Sequence, residues 1–186
     1  MGTTWNTSDK HNSSVIIDGS RLLRDGGISM KIGIIVFSRT GNTLSVAEKL
    51  KEELGAKGHD PELLRVIPAR DDLKAKPPME FKSAPTVDAY DVLLFGSPVW
   101  GFQLSTVMQA YLEQLPPLEG KKVGCFVTHM FPFAWLGGNS TIKQFKQICE
   151  TKGGKVLATG IVNWSSKGRE KDIAITVEKL SNIIGT

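Results

Sequence analysis

The chain of 186 residues is 40% hydrophobic and 23% charged, values typical of one globular domain with a packed core. Its net charge of +4 comes from Lys and Arg residues that are scattered rather than clustered with aromatic residues, so we expect no nucleic-acid partner. No apolar run is long enough to span a bilayer, and we expect no membrane partner. Cys125 and Cys149 form no CxxC pair and no metal-ligand spacing, which favours a reduced, cytoplasmic setting without a metal site.

The first 29 residues are polar apart from one short apolar patch at Val15-Ile16-Ile17. They contain no basic segment followed by an apolar one, so they do not form a secretory signal. We expect residues 1–29 to be a flexible N-terminal extension and residues 30–186 to form one domain.

Strand and helix patterns alternate through the rest of the chain. Apolar runs predict buried strands at residues 31–37, 62–67, 91–96, 122–128 and 155–164. Helical spacing of apolar residues predicts helices at residues 44–54, 107–115, 139–152 and 168–184. Asn139 or Ser140 is expected to cap the third helix, and Pro-rich residues 68–88 are expected to be irregular, with a short helix near Asp71-Asp72. The alternation indicates a doubly wound parallel sheet covered by helices on both faces.

The first strand is followed by a short polar segment, Ser38-Arg39-Thr40-Gly41-Asn42-Thr43, which we call the phosphate loop. It lies between a strand end and a helix start, where free N–H groups and the helix dipole favour an anion. The Walker pattern and the dinucleotide-binding glycine pattern are both absent. The loop therefore suits a phosphate monoester held without metal. The alternative is an ordinary strand-to-helix turn capped by Ser or Thr.

The phosphate loop resembles the FMN-phosphate loop of the flavodoxin family, T-x-T-G-N-T, with Ser38 in place of the first Thr. The resemblance runs from about Met30, the expected natural start, to the C-terminus. It implies a flavodoxin-like three-layer α/β sandwich, with a five-stranded parallel sheet in the order 2-1-3-4-5. It also implies FMN as the cofactor. Ligands of such sheets bind outside the carboxyl ends of the strands, where the loops after the first, third and fourth strands meet.

The segment Gly96-Ser-Pro-Val-Trp-Gly101 resembles the first flavin-contacting loop of flavodoxins. The resemblance implies that Trp100 lies against the flavin ring and that the Gly101 peptide turns its carbonyl towards flavin N5–H on one-electron reduction. Glycine makes such a change inexpensive because positive φ costs it little. Phe102 stands where an acidic residue often follows in the family. The alternative is a Trp packed under a loop for structural reasons alone.

An aromatic loop at residues 129–138 follows the fourth strand. The family often places a Tyr there, and Phe131, Phe133 or Trp135 could replace it in stacking on the ring. His129 is expected to be a turn residue, or, beside flavin N1, a protonated imidazole that stabilises the reduced anionic flavin. The cofactor-binding residues that the resemblance implies are Ser38, Arg39, Thr40, Gly41, Asn42, Thr43, Ser97, Pro98, Val99, Trp100, Gly101, Phe102, His129, Phe131, Phe133 and Gly138.

Two functions are considered, and we favour the first because the aromatic loop at residues 129–138 is expected to cover the flavin ring. One is an electron carrier whose flavin cycles through a semiquinone between redox partner proteins. The other is an FMN-dependent oxidoreductase that uses NAD(P)H to reduce a quinone or a similar acceptor. A fold relative that has lost FMN is disfavoured by the intact loop. The basic chain and the missing acid at Phe102 predict a less negative hydroquinone potential than in acidic flavodoxins, and they leave the usual basic partners of that family in doubt.

Other proteins of this topology lack support in the sequence. A response regulator needs an Asp at the end of the third strand, where Gly96-Ser97 stands. A low-molecular-weight tyrosine phosphatase needs a Cys in the first loop, which contains none. No Ser-His-Asp arrangement is evident, so we predict no catalytic residue of the hydrolytic type.

Overall fold

A computed structural model of the protein describes residues 16–17, 20–22, 28–70, 78–131 and 137–185. The strands, in chain order, are β1 Ile16–Ile17, β2 Ser20–Leu22, β3 Ile28–Ser29, β4 Lys31–Val36, β5 Asp60–Arg65, β6 Ile67–Pro68, β7 Phe81–Ser83, β8 Val92–Trp100, β9 Gln103–Leu104, β10 Lys122–His129 and β11 Lys155–Asn163. The helices are α1 Asn42–Ala56, α2 Thr106–Gln114, α3 Gly138–Thr151 and α4 Arg169–Ser181, followed by a 3₁₀ helix at Asn182–Gly185.

Five strands form the main sheet in the order β5-β4-β8-β10-β11, and all neighbouring pairs are parallel. This confirms the predicted order 2-1-3-4-5. From Ile32 to Val36, every residue of β4 is buried, because helices cover both faces of the sheet. Helices α1 and α4 pack on one face, and α2 and α3 pack on the other. None of the described helices is both long and apolar enough to cross a membrane.

The second predicted strand, at residues 62–67, is divided in the structure. Strand β5 begins earlier, at Asp60, because it pairs with β4 from Lys31 to Val36. Pro61 is tolerated there because β5 is an edge strand. Strand β6 leaves the main sheet and pairs antiparallel with β7, which lies in the segment predicted to be irregular. The short helix expected near Asp71-Asp72 falls outside the described residues.

The third strand of the structure is longer than the strand predicted at residues 91–96. Strand β8 continues to Trp100, because Val99 and Trp100 pair antiparallel with Leu104 and Gln103 of β9. What the sequence predicts as an open loop is therefore a tight hairpin, which we call the Trp100 hairpin (Val99–Leu104). The distinction matters because a paired backbone holds its side chains in fixed positions.

The predicted cap of the third helix is wrong. Helix α3 begins at Gly138, its N-cap is Gly137 with φ 106°, and no side chain caps the helix. Ser140 lies inside the first turn, where its hydroxyl donates to the Gly137 carbonyl at 3.1 Å. The predicted end is confirmed, since Gly153 follows the helix with a positive φ of 87°.

The two cysteines are free and fully buried, as predicted for Cys125. Cys125 lies in β10 and Cys149 in α3, and their Sγ atoms are 3.8 Å apart. Burial raises the pKa of the Cys125 thiol well above its usual value, and the neighbouring Cys149 adds to the effect. Cys125 therefore behaves as a core thiol rather than as a nucleophile.

Strands β1 to β3 form a small antiparallel sheet of their own. They are the part of the N-terminal segment that the structure describes. The assignment of residues 1–29 as a flexible extension stays a prediction.

Candidate cofactor site

A cleft of about 460 Å³ opens at the carboxyl ends of β4, β8 and β10. The three segments that follow these strands meet there, at the place predicted from the doubly wound topology. The cleft is lined by Ser38, Arg39, Thr40, Asn42, Thr43, Pro98, Val99, Trp100, Gly101, Thr128, His129, Met130 and Phe131. Among the described residues that line the cleft, only Arg39 has a permanent charge and none is a carboxylate.

The phosphate loop is shaped by Gly41, which is the N-cap of α1 and has a φ of 91°. A side chain added at Gly41 would be strained by this φ even though no atom lies within 4 Å of its position. Gly41 occupies the cap position, where the sequence left open a capping Ser or Thr, and the N–H of Leu44 in the first turn donates to the Ser38 hydroxyl instead. The start of α1 therefore borders the cleft with its dipole and with no cap from the N-cap residue itself.

Hydrogen bonds fix the phosphate loop from below. The buried Ser38 hydroxyl accepts from Leu44 N–H at 3.2 Å, and the Ser38 carbonyl accepts from Arg65 Nη2 at 3.2 Å. The hydroxyls of Thr43 and Thr128 are 2.8 Å apart and buried. This bond ties the first turn of α1 to the end of β10, so two of the three segments around the cleft are joined directly.

The Trp100 hairpin forms a second wall. Trp100 is partly buried and meets the edge of Phe37, with ring centroids 5.2 Å apart and planes at 87°. Gly101 and Phe102 at the tip have φ values of 54° and 65°. Two positive φ values at the centre of a two-residue hairpin are the pattern of a type I′ turn. Such a conformation is ordinary for Gly101 and strained for Phe102.

The tip of the hairpin is held by α3 and by an aromatic pair. The Phe102 carbonyl accepts hydrogen bonds from the hydroxyls of Ser140 and Thr141, both at 3.3 Å. The Phe102 ring, 48% exposed, stacks on Phe131 with centroids 4.6 Å apart and planes at 22°. Gly137 is required beneath it, because a Cβ there would lie 2.9 Å from Phe102 Cα.

Several residues of the implied cofactor set do not line the cleft. Ser97 is fully buried, and its hydroxyl lies 2.9 Å from that of Ser105, so it supports the hairpin from beneath. Phe102 faces outward on Phe131, and Gly138 packs against the ring of His129. Gly41 shapes the loop without lining the cleft. Phe133 and Trp135 lie outside the described residues.

Two lining residues, Thr128 and Met130, are absent from the sequence-derived set. Thr128 is the penultimate residue of β10, and the topology alone indicates that such a position faces the site. Met130 is 66% exposed and follows the strand directly. No residue type or spacing distinguishes it in the sequence.

His129 closes the inner end of the cleft. It is the last residue of β10, paired with Asn163 of β11, rather than a turn residue as expected. It is only 2% exposed, and within the described part of the chain neither ring nitrogen has a hydrogen-bond partner. Leaving such a group unsatisfied costs roughly 1–3 kcal/mol.

The charge state of His129 follows from its surroundings. Burial lowers its pKa below the ordinary value, and the Phe131 backbone and the Asp172 carboxylate oppose this only in part. The imidazole is therefore neutral at neutral pH in the protein without a ligand. The protonated imidazole considered from the sequence is therefore not the form of His129 in the protein without a ligand.

The cleft fits FMN by the chemistry of its two ends. Hydroxyls, an amide side chain and a helix N-terminus suit the phosphate, while Pro98, Val99 and Trp100 offer an apolar surface to a flat ring. His129 adds a buried imidazole to the wall of the cleft. The volume lies within the range of about 300–1,000 Å³ that is typical of cofactor sites. Among the described residues, no cluster of acidic, His or Cys side chains could hold a metal.

Comparison with known proteins gives a consistent result. The family model described as NADPH-dependent FMN reductase matches residues 30–168. A flavodoxin of Megasphaera elsdenii is 30% identical over 135 residues, which cover 71% of this chain and 85% of the relative.

Solved structures agree on the fold. The solution structure of two-electron reduced Megasphaera elsdenii flavodoxin has a TM-score of 0.61 at 26% identity, and the match covers 82% of this chain and 97% of that one. A flavoprotein from Lactobacillus acidophilus in complex with FMN has a TM-score of 0.56 at 19% identity, covering 80% of this chain and 99% of that one. The second likeness concerns the fold alone.

Proposed function

Because the chain belongs to the flavodoxin-like family of FMN-binding proteins, we propose that it holds FMN in this cleft and carries single electrons between redox partner proteins. FMN supplies chemistry that proceeds in one-electron or two-electron steps. The chain supplies binding, orientation and the electrostatic surroundings. The partner proteins and the cytoplasmic setting stay predictions.

The phosphate loop would hold the FMN phosphate. Thr40 and Asn42 line the cleft, and the start of α1 adds backbone donors and a positive potential. Arg39, exposed at the rim, adds the one permanent positive charge of the lining. Together they compensate the phosphate charge without a metal ion.

The flavin ring would lie against Trp100. The edge contact with Phe37 fixes the plane of the indole, so stacking costs little further ordering of that side chain. Phe131 also lines the cleft and is itself stacked on Phe102. The ring would therefore be covered by aromatic groups and would expose mainly an edge.

The observation that carries the electron-carrier function is this combination of a small volume and aromatic walls. A cleft of about 460 Å³ is near the lower end of the range for cofactor sites, so it offers space for one ligand of FMN size. Hydride transfer from a nicotinamide needs a second ring stacked on the flavin. Single electrons need only an exposed edge.

The second candidate is an FMN-dependent reductase that uses NAD(P)H and a quinone-type acceptor. The description of the matching family model favours it. Among the described residues that line the cleft there is also no carboxylate that would repel an anionic nicotinamide donor. In this function the aromatic pair of Phe102 and Phe131 would have to move aside or form part of the donor site.

The test is anaerobic reduction of the FMN-loaded protein. NADPH and then NADH are added while the visible flavin absorbance is followed, with free FMN at the same concentration as the control. We expect no bleaching faster than that of free FMN, and a one-electron-reduced flavin during slow addition of dithionite. Rapid bleaching by either nucleotide would replace the carrier with the reductase, and failure to take up FMN would reject both.

A further inference from the structure

We propose that His129 is the proton-accepting partner of the bound flavin: it stays neutral beside the oxidised cofactor and takes up one proton when the cofactor has received two electrons. The inference rests on the proposed function, because it concerns the same cleft with FMN bound. It assigns this chain a residue that couples electron uptake to proton uptake.

The first observation is the unpartnered imidazole. His129 is 2% exposed, it lines the cleft, and no described protein group bonds to Nδ1 or Nε2. Its main chain is fully engaged in the sheet, and its carbonyl accepts from Trp164 N–H at 2.7 Å. The ring therefore lies in the wall of the cleft, and its two nitrogens are buried without a hydrogen-bond partner among the described residues.

The second observation is the position of the ring against α3. A Cβ on Gly138 would lie 3.4 Å from His129 Cδ2 and Nε2, so the ring packs on the first turn of that helix. The positive end of a helix disfavours an imidazolium. Burial acts in the same direction and lowers the pKa of His129. The neutral form is thus the resting form.

The charged groups around His129 are few. Asp172 of α4 favours the protonated ring, although its carboxylate already accepts from Asn163 N–H at 3.2 Å. Arg39 also lines the cleft, and Arg169 of α4 lies over the neighbouring Trp164 ring at 4.9 Å. The first turn of α3 carries no charged side chain, nor do residues 130–138 of the sequence. A new negative charge in the cleft would therefore change the balance at His129.

Reduction of the flavin supplies that charge. Two electrons and one proton added to the flavin leave it with one additional negative charge. His129 then takes one proton from water, so the cleft as a whole gains two electrons and two protons. The electrons come from the redox partner of the proposed function, or from dithionite in the test. Opposite charges within about 4–6 Å favour each other's charged forms, which is the reason for the coupling.

The test follows the imidazole directly. Carbon-detected or proton-detected NMR titration of His129 is carried out on the FMN-loaded protein in the oxidised state and in the dithionite-reduced state, with His129→Gln used for assignment. We expect the pKa of His129 to rise by on the order of one unit or more on reduction. His59 is the control, because it lies outside the cleft lining and its pKa is lowered by burial and by Lys57 rather than by any group of the site.

The second readout is the potential of the two-electron couple as a function of pH. Between the two pKa values of His129, the wild-type slope should correspond to two protons per two electrons. In His129→Gln the slope should correspond to one, while His59→Gln should behave as the wild type. A His129 pKa that does not change, with the two-proton slope kept in the Gln variant, would place the proton on the flavin and overturn the inference.

These outcomes separate the two proposals. If the protein takes up no FMN, the proposed function fails. If it takes up FMN and the pKa of His129 is the same in both redox states, the function stands and the role of His129 fails. The NMR titration needs the variant only for assignment, so an unstable Gln variant would not prevent a decision.

Discussion

The phosphate loop and the Trp100 hairpin border the same cleft but present different groups to it. The phosphate loop offers hydroxyls, an amide and the start of a helix, and a glycine with φ 91° sets its shape. The Trp100 hairpin offers an indole fixed by Phe37 and a tip in which a non-glycine residue also has positive φ. The first suits a charge that stays constant during the redox cycle, and the second adjoins the part of the ligand whose charge changes.

This difference leads us to expect that affinity and redox potential can be altered separately. Changes in the phosphate loop should weaken FMN in all redox states alike, because the phosphate keeps its charge. Changes in the Trp100 hairpin should affect the redox states unequally. Three variants test whether FMN affinity and redox potential can be altered separately.

The largest effect is expected for Thr40→Ala combined with Asn42→Ala. Each removes a hydrogen bond to a charged phosphate, which is worth about 1.5–3 kcal/mol, so the Kd for FMN should rise by at least about 100-fold. The measurement is quenching of FMN fluorescence on titration with protein. Thr151→Ala, which loses a hydroxyl at the far end of α3, is the matched control. Unchanged affinity in the double variant would reject the phosphate assignment.

A smaller effect is expected for Trp100→Leu. The variant keeps an apolar surface but loses ring stacking, which is worth about 0.5–1.5 kcal/mol beyond the buried area, so the Kd should rise by roughly 2- to 13-fold. The flavin potentials should also shift, because oxidised and reduced rings stack differently. Trp164→Leu removes a ring outside the cleft lining and should leave the Kd for FMN and the flavin potentials unchanged. Equal behaviour of the two variants would show that the flavin does not lie on Trp100.

The smallest effect on affinity is expected for Gly101→Ala. Gly101 and Gly120 both have positive φ, 54° and 76°, and at both sites an added Cβ would have no atom within 4 Å. Each Ala variant should therefore lose about 1 kcal/mol of unfolding free energy through backbone strain alone.

The two glycines differ in place, since Gly101 lies in the cleft and Gly120 does not. If the Gly101 peptide changes its orientation with the redox state, Gly101→Ala should alter the separation of the two one-electron potentials and Gly120→Ala should not. A spectroelectrochemical titration measures both. Identical potentials in the two variants would contradict a role for the Gly101 peptide.

The sheet and the phosphate loop could be predicted because their signals are local. Continuous apolar runs indicate strands covered on both faces, and a polar segment before a helical pattern indicates an anion site. The Trp100 hairpin could not be predicted in this way. Strand β8 reaches Trp100 only because Gln103 and Leu104 turn back and pair with it, and nothing within residues 97–100 signals that pairing.

Contacts between segments that are distant in sequence could not be predicted from local sequence patterns either. The hydroxyl bond of Thr43 with Thr128 spans 85 positions, and the contact of Cys125 with Cys149 spans 24. The neutral state of His129 depends on burial by β11 and α3, which a residue type alone does not reveal. The less negative hydroquinone potential stays a prediction, and the lining with Arg39 and no carboxylate is the structural ground for it.

The support that α3 gives to the Trp100 hairpin has a consequence for protein engineering. Ser140 and Thr141 donate to the Phe102 carbonyl, and the Gln144 side chain accepts from Leu104 N–H at 3.1 Å. A transplant of the hairpin alone into a related scaffold would leave these backbone groups without their partners. Residues 137–144 would have to be transferred with it, so the smallest exchangeable unit comprises two segments that are remote in sequence.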